Sequence, residues 1–155
     1  MAVTGIAEQD AEWSVRRLEW IAVPSRQAHP PQPDLLRWVT GPDYAPDVKW
    51  AVITRYYRLR DEPTVAAFLF DRPRLLNAVL DAYATLSAIF GPEASAELRL
   101  RADPEIPTRR YVAVLIVTGL PVEDALSRAE RFDAEWWLDR IGDLGQELVF
   151  TLEFI

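Results

Sequence analysis

A chain of 155 residues is long enough for one domain with a substantial core. Half of it is hydrophobic and 26% is charged, the composition of a globular protein and not of a disordered one. A formal charge of −7 disfavours nucleic acid as the main partner, and the lack of cysteine excludes disulfides, thiolate metal sites and a cysteine nucleophile.

The charge is uneven. Residues 1–90 hold 11 acids and 10 bases, whereas residues 91–155 hold 13 acids and 7 bases. The acidic half therefore suits a partner with a basic surface. Met1 to Gly5 lacks the basic and apolar regions of a signal peptide. The longest strongly apolar run, Tyr111 to Val117, is too short to span a bilayer as a helix. Together these features predict a soluble, cytoplasmic protein without a membrane role.

In chain order, residues 1–46 read as an arm followed by an irregular segment. Val15 to Val23 fits a strand or an amphipathic helix. Pro24, Pro30, Pro31, Pro33, Pro42 and Pro46 then interrupt regular structure, with room for a helical turn around Leu35–Val39. Residues 47–155 read as a single α+β domain. A helix begins at Asp47, with Val48, Val52, Tyr56 and Leu59 as one apolar stripe and Trp50, Ile53 and Tyr57 as another. Asp61-Glu62-Pro63 breaks it, and Thr64 to Phe70 forms a short helix. Pro73 opens a longer one that Gly91-Pro92 ends.

The period then changes from helix to strand. Ala96, Leu98, Leu100 and Ala102 alternate with Glu97, Arg99 and Arg101, as in a strand with one wet face. Asp103 to Pro107 is a turn, and Tyr111 to Thr118 is apolar on both faces, as in a central strand. A helix runs from about Pro121 to Arg140, and Leu148 to Phe154 alternates as a last strand. The reading is α-α-β-β-α-β, with a small, mainly antiparallel sheet of three to four strands against helices.

The densest chemistry lies in Arg131-Phe132-Asp133-Ala134-Glu135-Trp136-Trp137-Leu138-Asp139. On a regular helix starting at Val122, the residues Val122, Ala125, Leu126, Ala129, Phe132 and Trp136 share an apolar arc of about 120°. Trp137 extends its edge and Asp133 falls inside it. Asp133 is thus either an acid of raised pKa that meets a ligand, or a structural acid held by an indole N–H or an arginine. Glu135 and Asp139 lie one turn apart on the outer side. They could contact a hard cation, but a pair of carboxylates is too few ligands, and Arg131 is placed to pair with Glu135. No metal and no cofactor is expected.

Other candidates are weaker. His29, the only histidine, stands in a proline-rich loop without metal-binding or triad partners. Arg55, Arg58 and Arg60 alternate with core-facing tyrosines and read as a solvated rim or a phosphate patch. Arg99 and Arg101 could pair with the helical acids or orient an anionic group. No glycine-rich phosphate loop, metalloprotease or nucleophile-elbow motif occurs.

The succession Leu98-Arg99-Leu100-Arg101-Ala102-Asp103-Pro104-Glu105, Pro121-Val122-Glu123-Asp124-Ala125-Leu126, Phe132-Asp133-Ala134-Glu135-Trp136-Trp137-Leu138 and Leu152-Glu153-Phe154 resembles a group of small uncharacterised prokaryotic proteins. The resemblance covers residues 63–155. It implies a shared pattern and an operon partner, and brings no activity with it.

Three expectations follow. The first is a non-catalytic domain that binds another protein, such as a regulatory or antitoxin-like partner with a basic surface. Asp133, Glu135, Trp136, Trp137, Asp139, Arg99 and Arg101 are its candidate contacts. The second is a small-ligand binder or carboxylate-dependent enzyme centred on Asp133. The third is a homo-oligomer built on exposed tryptophans.

Overall fold

The computed structural model describes residues 44–155. The readings of the N-terminal arm, of Pro24 to Pro42 and of His29 lie outside the described residues; Pro46, read as part of the irregular segment, instead opens the first described helix. Among the described residues the chain is α+β. Four strands lie in the order β1-β2-β3-β4, with helices inserted between β1 and β2 and between β3 and β4.

Helix α1, Pro46–Tyr56, starts with a proline in its first turn, where a missing N–H costs nothing, and Asp47 favours the positive end of the helix dipole. The helix was expected to run on to Leu59. Instead Tyr57–Leu59 is strand β1, pairing parallel with Ala96–Leu98. Tyr57 still points inward, buried, and its hydroxyl donates to the Val79 carbonyl at 2.7 Å. The helical spacing correctly marked the buried side chain. The sheet edge, which can satisfy the extended backbone, decided its conformation.

Asp61 then turns the chain away at φ 55°, a left-handed conformation that aspartate tolerates better than most residues. Helix α2, Glu62–Phe70, follows, and α3, Pro73–Phe90, runs the length of the core. Gly91, at φ 83°, stops α3 where a side chain would be strained, and its N–H donates to the Ser87 carbonyl.

Strands β2, Ser95–Ala102, and β3, Arg110–Thr118, form the antiparallel hairpin at the centre of the sheet. In its turn, the Asp103 carboxylate accepts from the N–H groups of Glu105 and Ile106 at 2.9 and 3.3 Å. Both edge strands pair parallel to their neighbours: β1 with β2, and β4, Leu148–Phe154, with β3. Parallel pairing needs a crossover, which is why α2 and α3 separate β1 from β2, and α4, Val122–Phe132, and α5, Ile141–Leu144, separate β3 from β4.

The helices cover one sheet face. Leu98, Val112, Val114, Ile116 and Leu148 pack there with α3 and with Phe132, Trp136 and Trp137. The other face carries Glu97, Arg99, Leu115 and Glu153 by strand alternation. On it, Ala113 and Leu115 are buried yet stand outside the core cluster. Arg99 lies opposite Ala113 and reaches across β3 to within 3.8 Å of Glu153 on β4, so its apolar stem covers the middle of this face. No helix among the described residues is long and apolar enough to cross a membrane.

Candidate functional site

The tryptophan segment is not a regular helix. Helix α4 ends at Phe132, and Asp133–Trp137 forms one π-helical turn, closed by the Leu138 N–H donating to the Asp133 carbonyl at 2.9 Å. In an α-helix Phe132 and Trp137, five residues apart, would diverge by about 140°. In a π turn residues five apart stand one above the other. The extra residue therefore turns both indoles inward.

The result is a continuous aromatic stack. Phe132 and Trp136 lie 5.6 Å apart, and Trp136 and Trp137 lie 6.2 Å apart with nearly parallel rings. Phe150 of β4 meets Phe132, Trp136 and Trp137 at 4.9, 5.8 and 5.0 Å. Offset and edge-on contacts at these distances add to the burial of the rings. Both tryptophans are buried, so the indoles stabilise the core and leave the outer surface to other side chains.

The acid that holds the indole is one that the sequence pattern did not single out. Trp136 Nε1 donates to Asp81 Oδ2 at 2.8 Å, and Arg140 donates to the same oxygen at 3.3 Å. Arg140 also donates to the Trp136 carbonyl at 2.8 Å and lies 4.4 Å over its ring. Asp81 is the only acid in the largely apolar Pro73–Phe90 helix, and that isolation was the available signal. A cleft of about 350 Å³ opens beside it, lined by Arg74, Asn77, Asp81, Arg140 and Asp143. Its charges answer one another. Arg74 and Asp143 approach to 3.4 Å, and the buried Lys49 donates to Asn77 Oδ1 at 2.7 Å.

Asp133 is half-buried on the outer side of this arrangement. Among the described residues neither an indole nor an arginine holds it. Loss of hydration pushes its carboxyl up, and the nearby Glu130 charge adds to the effect. Glu135 is exposed and pairs with Arg131 at 2.6 Å, and Asp139 is exposed. Among the described residues no cluster of three or more acids or histidines could hold a metal ion.

Arg99 and Arg101 are not brought to Asp133. Phe132 packs on Phe150, which shares a sheet face with Val114 and Leu98, whereas Arg99 and Arg101 project from alternate positions on the opposite face. Arg99 donates to Glu97, which also accepts from Arg60 at 3.1 Å. These two guanidinium groups hold the Glu97 carboxyl below the usual glutamate range, in spite of its burial.

The outer face of α4 departs most from expectation. Val122 and Leu126, which the helical pattern assigns to the core, are 55% and 50% exposed. Ala125 and Phe132 do face inward, so the apolar arc is narrower than a regular helix implies, and Val122 and Leu126 make a solvent-facing stripe one turn long. Leu138 and Ile141, beyond the π turn, are also exposed. Residues 122–144 carry seven acids against three arginines, so these apolar side chains stand on an acidic surface. Comparison with known proteins gives no match to a family model, to a curated protein or to a solved structure.

Proposed function

We propose that this protein is a non-catalytic binding domain whose outer α4 face and π turn dock onto a basic surface of another protein. The observation that carries this reading is the exposure of Val122 and Leu126, bordered by Glu123, Asp124 and Glu130. Apolar anchors within a charged rim are the pattern of a protein interface. The aromatic stack beneath gives that face a rigid floor, which lowers the ordering cost of binding. The polar groups of the neighbouring cleft are satisfied by one another, which suits a scaffold better than a reaction centre. In this reading the protein acts in the cytoplasm as a regulatory partner, in the manner of an antitoxin.

The test is capture from native host lysate with tagged protein at low and high salt. A single stoichiometric partner is expected, released by salt and lost with Leu126→Glu but retained with Arg74→Ala. Capture that is indifferent to Leu126→Glu sinks the proposal. A second reading, a small-ligand site, draws on the half-buried Asp133, which has no partner among the described residues, and the 350 Å³ cleft at Asp81. It predicts a metabolite-induced rise in melting temperature that Asp133→Asn or Asp81→Asn abolishes.

A further inference from the structure

At the far end of the sheet from the tryptophan stack, the chain collects arginines that the sequence keeps apart. Strand β1 ends at Leu59, and the last backbone bond along that edge runs from the Arg60 N–H to the Leu98 carbonyl. Asp61 then turns the chain into α2. Strand β2 continues past this point to Ala102, so its last turn of pleat borders an open groove. The groove has a volume of about 460 Å³, and its lining includes Arg60, Asp61, Thr64, Arg99, Arg101 and Arg110.

The charges here do not cancel. Glu97 accepts from both Arg60 and Arg99 and so fixes those two guanidinium groups from behind. Asp61 accepts from the Thr64 hydroxyl at 2.6 Å. The side chains of Arg101 and Arg110 form no hydrogen bond or ion pair among the described residues. Four arginines against Asp61, Glu97 and Glu153, the last 3.8 Å from Arg99, leave one positive charge uncompensated, on a protein whose net charge is −7. Like charges gathered in a concavity repel one another, and an anion seated between them removes that cost.

We propose that this groove binds the oxyanion group of a small molecule, a phosphate ester or a polycarboxylate. Arg101 and Arg110 supply the charge and the planar donor forks, and Glu97 acts as a positioning residue through Arg60 and Arg99. Guanidinium forks match both oxyanions geometrically. The volume falls in the range of small-ligand sites and exceeds what a lone inorganic ion fills. A long nucleic acid is a poorer fit, because the surrounding acidic protein repels an extended polyanion.

The experiment is calorimetric titration of the full chain with pyrophosphate and, separately, citrate at low ionic strength. Saturable one-to-one binding of at least one probe is expected, and the tighter probe identifies the oxyanion class. Arg101→Ala and Arg110→Ala each weaken binding about tenfold or more. Arg58→Ala removes the same charge from β1 outside the groove and leaves binding within about twofold. Arg101→Gln serves as a second variant at the same position, and melting curves confirm that each variant folds. Absence of saturable binding by either probe at millimolar concentration overturns the proposal. So does an equal loss in Arg58→Ala, which reduces the effect to general charge.

Discussion

The two charged regions of this molecule are built on opposite accounts. Around the cleft at Asp81 the charges have answers within the fold: Asp81 takes the Trp136 indole and Arg140, and Arg74 lies against Asp143. At the open end of β2, Arg101 and Arg110 are left over. A satisfied polar cluster stabilises a fold, and an unsatisfied one on the surface is available to a ligand. Substitutions at the first end should therefore act on stability, and at the second on binding.

The largest expected effect is at the aromatic stack. Trp136→Ala removes a buried ring and its hydrogen bond, and should cost about 3–5 kcal/mol in urea unfolding. A loss under about 1 kcal/mol would mean that the stack is not an integral part of the core. Asp81→Ala leaves the indole N–H without its acceptor and Arg140 without its partner, and should cost about 1–3 kcal/mol.

Glu97 links the two regimes, because it is buried and paired yet sits behind the arginine groove. Its folded pKa is lowered, so its ionised form stabilises the fold. That contribution is complete above the ordinary glutamate value of about 4.3 and is lost as pH falls through the lower folded value. Glu97→Gln should cost about 1.5–3 kcal/mol at pH 7 and progressively less in acid. A pH-independent difference between the two proteins would contradict the assigned ion pairs.

Asp133 has the opposite sign. Its pKa is raised, so the unfolded chain releases the proton first and ionisation destabilises the fold. Asp133→Asn should therefore raise the melting temperature at pH 7. The gain appears as pH rises through the ordinary aspartate value of about 3.9, is complete above the raised folded value, and vanishes in strong acid. The smallest effect is expected at Arg101→Ala, within about 0.5 kcal/mol of the parent protein. A large loss there would erase the distinction between the two ends.

Much of the fold was legible. Proline and glycine marked the limits of α3, period-two alternation located β2 and β4, and a short run apolar on both faces located β3, because those signals are local consequences of backbone sterics and of burial. Strand β1 was not legible: three residues with helical spacing became extended because β2 offers them backbone partners, and a pairing across about forty residues leaves no local trace. The site was half legible. Phe132, Trp136 and Trp137 stood out as one unit, but a wheel of constant pitch misplaced Val122 and Leu126 and could not foresee the π turn.

What the sequence by itself determined is the inventory: an acidic cysteine-free chain, an α+β domain in its last two-thirds, and one helix rich in tryptophan and carboxylate. The tertiary structure decided which groups meet. It gave the indole of Trp136 to Asp81 and not to Asp133, set Arg99 and Arg101 on the face away from that helix, and gathered Arg60, Arg101 and Arg110 around one groove. Helical and strand periodicity specify which way a side chain points within its own element. Which partner it finds there depends on strand register and crossover, and those are settled by contacts between residues far apart in the chain.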